Sequence, residues 1–196
     1  MSRVGWVVLV AIALIVGAFA ALVRVGDPPP RALAALSPAA VAPPKPIDSG
    51  PGLRVPVANV TRAQITNSWG DTRSGGRGHK GLDIMAPGGT PVLAVAAGTV
   101  EKLFQSRQGG TTLYQRSADG RWTFYYAHLA GYAPGMREGL KVLPGQLLGY
   151  VGDTGNSGAG NHHLHFSLTR RRPGESWSQG EEVNPFPYLS GSAKLP

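Results

Sequence analysis

Three histidines crowd into the stretch GNHHLHF, Gly160 to Phe166, of a 196-residue chain that has only five. Imidazole nitrogens bind transition metals and exchange protons near neutral pH, so such a cluster suggests a metal site or an acid–base site. The chain has no cysteine. That excludes disulfides and thiolate sites together and leaves His, Asp and Glu to hold any transition metal. If HHLHFSL is a strand, alternation puts His163, His165 and Ser167 on one side and Leu164, Phe166 and Leu168 on the other. The apolar set makes a core face. The opposite face presents two imidazoles about 6.6 Å apart, which suits one metal, or one metal ligand beside one catalytic base. His162 has core-face parity but stands at the strand's start and reads as a loop residue outside the metal set.

Candidates to complete the site lie upstream in GHKGLDIMAPGGTPV, where His79 and Asp83 are spaced i, i+4. A helix would align them, but Gly75, Gly76, Gly78, Gly81, Pro87, Gly88 and Gly89 oppose one. Fully extended, their alpha carbons would stand about 13 Å apart, too far to share an ion. The chain must bend, and Gly81 is placed to allow it. His79, Asp83 and one of the two HLH histidines would supply two nitrogens, one carboxylate oxygen and an open fourth position, the pattern of a catalytic zinc site. The fifth histidine, His128, ends WTFYYAHL, where alternation groups it with Trp122, Phe124 and Tyr126. It is either a half-buried strand end or a further imidazole in the same groove.

Other chemistries fit less well. Asp153-Thr154-Gly155 after LLGYV imitates the aspartic peptidase loop, but that mechanism needs two carboxylates sharing a proton and the motif occurs once. GNSGA does not form a nucleophilic serine elbow.

The elements that must position these groups read as β-structure. TPVLAVAAGTVEKLF, TTLYQRS, WTFYYAHL, LLGYVGDTG and HHLHFSLTR are short alternating or β-branched runs separated by glycine, and 28 glycines favour tight turns over long helices. The expected class is all-β, mostly antiparallel. Val4 to Val23 is uncharged and almost wholly apolar, about the 20 residues that span a bilayer as a helix. Its length suits a signal anchor, and AFA at Ala18 to Ala20 also permits a cleaved signal peptide. From Asp27 to Pro56 the chain carries nine of its 17 prolines, the composition of an extended disordered linker whose reach approaches 90 Å at about 3.1 Å per residue. Net charge is +8. The basic residues are scattered apart from Arg170 to Arg172, with no nucleic-acid-binding signature, so the charge suits either attraction to an anionic polymer or membrane surface or a simply solvated basic surface, and nucleic acid is not the expected partner.

Taken in order, HKGLDI from His79, GTPVLAVAAGTV from Gly89, YAHL from Tyr126, GQLLGYVGDTGNSG from Gly145, HLHF from His163 and NPFPYL from Asn184 resemble the lysostaphin-type, LytM-like zinc metallopeptidases, which cut peptidoglycan cross-links. The match runs roughly from Gln64 to Tyr188. It implies a lysostaphin-like β-fold with a groove, and one zinc per chain on His79, Asp83 and His165. His163 and His128 are then the non-ligand catalytic pair, and peptidoglycan stem or cross-bridge peptides the substrate. The resemblance leaves room for a regulatory protein partner and for a rival role as a non-catalytic, peptidoglycan-binding activator of another hydrolase. Relatives freed from chemistry tend to lose ligands; here all five positions are filled. The chain departs from the family in having His162 before HLH and Trp69 where another aromatic is usual. The expected organisation is an anchor or signal peptide over 1–24, a linker over 25–56, a metallopeptidase domain over 57–190 and a tail over 191–196, with the catalytic domain outside the cytoplasm.

Overall fold

Glycine-punctuated β-branched and aromatic runs have too little helical periodicity to bury a face as helices, and they fold as strands. The computed structural model describes residues 52–73 and 75–196; the apolar segment and nearly all of the Pro/Ala-rich stretch lie outside the described residues. Among the described residues the strands are β1 (Leu82–Met85), β2 (Pro91–Leu93), β3 (Gly98–Ser106), β4 (Gly110–Ser117), β5 (Trp122–Tyr132), β6 (Lys141–Val142), β7 (Leu147–Val151), β8 (His163–Arg170) and β9 (Glu181–Val183). One short helix, α1 (Phe186–Leu189), follows, and no described helix is long and apolar enough to cross a membrane.

The strands form one sheet in the order β1-β8-β5-β4-β3-β6, with β7 joining β2 to β5 and β9 continuing along β8. Every pairing is antiparallel, as the sequence pattern predicts. β8 has the predicted two faces: Leu164, Phe166 and Leu168 are fully buried. They pack with Leu82, Phe124, Tyr126 and Leu148 in one core, each large side chain contributing about 1.5–3 kcal/mol. Two fully buried polar side chains there satisfy each other. Tyr126 Oη donates to Gln115 Oε1 at 2.8 Å and accepts from Val95 N, while Gln115 Nε2 donates to Ala96 O. This ties β4 and β5 to the segment after β2.

Both outer boundaries read from composition fall inside packed structure. Leu53 and Val55 are buried, Arg54 N donates to Val95 O, and Leu93 N donates to Pro56 O at 2.7 Å. The proline-rich context hid two apolar residues that complete the core. At the other end Ala193 N donates to Pro187 O, and Leu195 packs against the core, so the last residues are docked.

Candidate metal centre

Register brings the first pair of candidate ligands together. β1 runs antiparallel to β8 with Asp83 directly opposite His165, so carboxylate and imidazole share the face turned away from the core. His79 precedes β1 and is pinned on both sides, its N–H donating to Asp71 O and its carbonyl accepting from Gly70 N. The chain bends at Gly81 as predicted, but a left-handed φ is not what glycine provides there. A Cβ at Gly81 would lie 2.6 Å from His165 Cε1 and 2.7 Å from Phe166 O, so the residue is small because β8 and the His165 ring pass directly over it.

The three side chains converge tightly. His79 Nε2 is 2.9 Å from His165 Nδ1, and each is 3.1 Å from Asp83 Oδ1. Around a tetrahedral ion bound at about 2.0–2.1 Å, ligand atoms stand about 3.3 Å apart, so the donor set fits one zinc-sized cation with little adjustment. The lone pairs face inward because His79 Nδ1–H is committed to Ser68 O at 2.7 Å, leaving Nε2 unprotonated. Ser68 also accepts the Asp83 N–H through its hydroxyl. No signal of residue type or spacing marks Ser68 in the sequence.

The remaining two predicted histidines border the same groove. His163 is buried, its Nδ1 lies 2.9 Å from Asn161 O, and its Nε2 stands 3.7 Å from Asp83 Oδ1. His128 arrives by a different route from strand alternation. Trp122, Phe124 and Tyr126 all face the core, and parity would send His128 there too. Instead β5 carries an irregularity against β4 at this point, and His128 takes φ 61, a conformation that costs a non-glycine residue about 1–3 kcal/mol. The turn brings its ring to 4.8 Å from that of His163. Neighbouring loops hold it, with His128 N donating to Gly109 O and Nδ1 donating to Thr154 O, both at 2.8 Å. Gly110 and Gly155 let those loops touch backbone to backbone: a Cβ at Gly155 would lie 2.3 Å from Gln108 O. The Asp153-Thr154-Gly155 turn thus serves His128. Asp153 itself accepts from Gly160 N, and His162 lies by Gly88, outside the cluster.

The groove has a volume of about 770 Å³. His79, Asp83 and His165, both further histidines and Tyr125 line it, together with Gln108, Asn156, Ser157 and Asn161. Burial pushes the imidazoles of His79 and His128 below the ordinary histidine range, and the carbonyls of Ser68 and Thr154 only partly oppose it. Burial alone would raise the Asp83 carboxyl; the hydrogen bond with His165 and the surrounding imidazoles outweigh it and hold that carboxyl well below the usual carboxylate range. Neutral imidazoles beside a carboxylate are the protonation states a cation requires.

The sign of the pH effect follows. A histidine with a lowered folded pKa binds fewer protons folded than unfolded, so stability falls as pH drops through the ordinary value of 6.5 towards the folded value. The depressed Asp83 carboxyl keeps its contribution over that window and loses it only at much lower pH. The melting temperature of metal-free protein is therefore expected to fall between pH 7.5 and 5. His128→Asn, which tolerates the left-handed backbone, should flatten that fall. An equal fall in the variant would reject this account of His128.

Residues 77–185 match the model for peptidase family M23. The chain is 35% identical over 141 residues to the L-Ala--D-Glu endopeptidase of Bacillus subtilis, covering 68% of this chain and 42% of that protein. It is 33% identical over 118 residues to the glycyl-glycine endopeptidase ALE-1 of Staphylococcus capitis, covering 60% of this chain and 30% of that protein. The chain thus spans less than half the length of either relative. Among solved structures, the catalytic domain of lysostaphin from Staphylococcus simulans aligns with a TM-score of 0.55 and 31% identity, covering 64% of this chain and 90% of that one.

Proposed function

The chain belongs to peptidase family M23, and from that membership we propose that it is a zinc-dependent endopeptidase hydrolysing peptide cross-links of bacterial peptidoglycan. The observation that carries this reading is the convergence of three potential ligand atoms, one each from His79, Asp83 and His165, with a third imidazole, that of His163, 3.7 Å from Asp83.

Zinc held there supplies a Lewis acid that polarises the scissile carbonyl and lowers the pKa of water towards neutrality. His163 is set up as the general base. With Nδ1 donating to Asn161 O, its Nε2 faces the cluster as an acceptor, able to take the proton of the attacking water and return it to the departing amine. His128 has the same tautomer through Thr154 O, so its Nε2 also accepts. That suits orienting the water; stabilising an oxyanion would require His128 to be protonated first. The amide and hydroxyl groups that line the groove offer hydrogen bonds to an extended peptide backbone. We further propose that the apolar N-terminal segment tethers this domain at the membrane, outside the cytoplasm, with the proline-rich stretch setting its reach.

Purified full chain is expected to release soluble muropeptides from isolated peptidoglycan, and a zinc chelator should stop the release. Product masses would name the bond. Zinc-loaded protein that binds peptidoglycan and releases nothing would overturn the enzymatic reading in favour of a non-catalytic activator of another hydrolase.

A further inference from the structure

Asp83 offers two oxygens, and only one of them faces the other ligands. Oδ1 meets His79 and His165, whereas Oδ2 is turned outward onto Arg73, whose Nη2 lies 2.5 Å away. The same Nη2 stands 2.8 Å from Nδ1 of His79, whose proton goes to Ser68 O, so the guanidinium is a close neighbour of that ring and its hydrogen bond is to Asp83. One guanidinium thus sits behind two ligands that come from different segments. Its own backbone is anchored: Arg73 N donates to Arg77 O, Gly76 N donates to Arg73 O, and Thr72 bridges Gly78. The resulting tight hairpin closes directly onto His79 through the Asp71 and Gly70 hydrogen bonds.

We infer that Arg73 is a positioning residue of the metal site, holding Asp83 as a one-oxygen ligand and fixing its angle to His79. The inference rests on the metal-binding reading above and concerns how that site is kept in shape. A carboxylate free of this contact can rotate and present both oxygens, which crowds the position left open for water. Charge and geometry predict opposite signs here. A cation about 3 Å from two ligands repels a divalent ion, so if Arg73 acted only through its charge, removing it would tighten zinc binding. If it positions Asp83, removing it should weaken binding by the 10–100-fold typical of groups that orient metal ligands.

The test is zinc affinity of the purified full chain, measured by competition with a chromophoric chelator, for wild type and Arg73→Gln. The cobalt-substituted forms of both should be compared by visible absorption. Affinity 10–100-fold weaker in the variant, with a changed cobalt spectrum showing altered coordination, is the expected result. Arg77→Gln removes a neighbouring cation that touches neither ligand and should not weaken binding. Unchanged or tighter zinc binding in Arg73→Gln, or an equal loss in Arg77→Gln, would overturn the inference. A wild-type chain that takes up no zinc would sink this inference and the metal reading together; wild-type binding with an unaffected Arg73→Gln would sink this inference alone.

Discussion

His163→Ala is expected to keep its zinc and to lose cross-link hydrolysis by about 10²–10⁴-fold, the range for removing a positioned general base. The separation follows from register. His163 and His165 share a strand face, but only His165 lies directly opposite Asp83; His163 is opposite Met85, two pairs further along. Its Nε2 is 3.7 Å from Asp83, against 3.1 Å for the nearest atom of His165. Removing His163 therefore leaves the three convergent atoms in place. Asp83→Ala and His165→Ala each delete one of them and should lose zinc and activity together. Metal analysis of the purified variants beside their muropeptide release decides the matter. Zinc loss in His163→Ala equal to that in His165→Ala would reject the division of roles.

The second large effect concerns a residue with no side chain. An alanine at Gly81 would place its methyl 2.6–2.7 Å from His165 Cε1, His165 Nε2 and Phe166 O. The carbonyl belongs to the strand opposite and cannot retreat without disturbing the Leu82 pairing with Phe166, so the imidazole must give way. Moving that ring carries its Nδ1 out of the cluster. Gly81→Ala is expected to weaken zinc binding by about 100-fold or more, beyond the 10–100-fold typical of losing one orienting contact. Overpacking should also cost about 1–3 kcal/mol of stability. Gly78→Ala is a suitable comparison, because the nearest atom to its new methyl is 3.9 Å away. Thermal melting and chelator competition on both variants test this; wild-type zinc affinity in Gly81→Ala would show that the contact is absorbed elsewhere.

Local pattern carried much of the site. The alternation in HHLHFSL separates Leu164, Phe166 and Leu168 from His163 and His165, and in the structure the apolar set is fully buried in the core while the two histidines line the groove. The four-residue spacing of His79 and Asp83, with glycine between them, required a bend, and the bend is there. Spacing alone could not separate His163 from His165, because what separates them is the partner strand. His128 was harder still, since its orientation depends on a bulge held by Gly109 and Thr154, loops from either side of it in sequence. Arg73 and Ser68 carry no signature of type; they matter because of where the hairpin and the preceding segment return. Leu53 and Val55 were missed for a similar reason, as the segment that carries them is held by Tyr188, which accepts from Leu53 N, and by Val95, which accepts from Arg54 N.

The placement of the ligands divides the site by how readily its parts open. His165 and His163 ride on β8, which is hydrogen-bonded on both edges, and His128 on β5, likewise flanked. His79 and Arg73 ride on the hairpin outside the sheet, where the surrounding backbone is largely exposed. Segments of these two kinds exchange their amide hydrogens through different events, global unfolding for interior strands and local opening for exposed loops. Were an ion held by these residues, it would be expected to leave through brief local opening around Arg73 and His79, with the sheet intact.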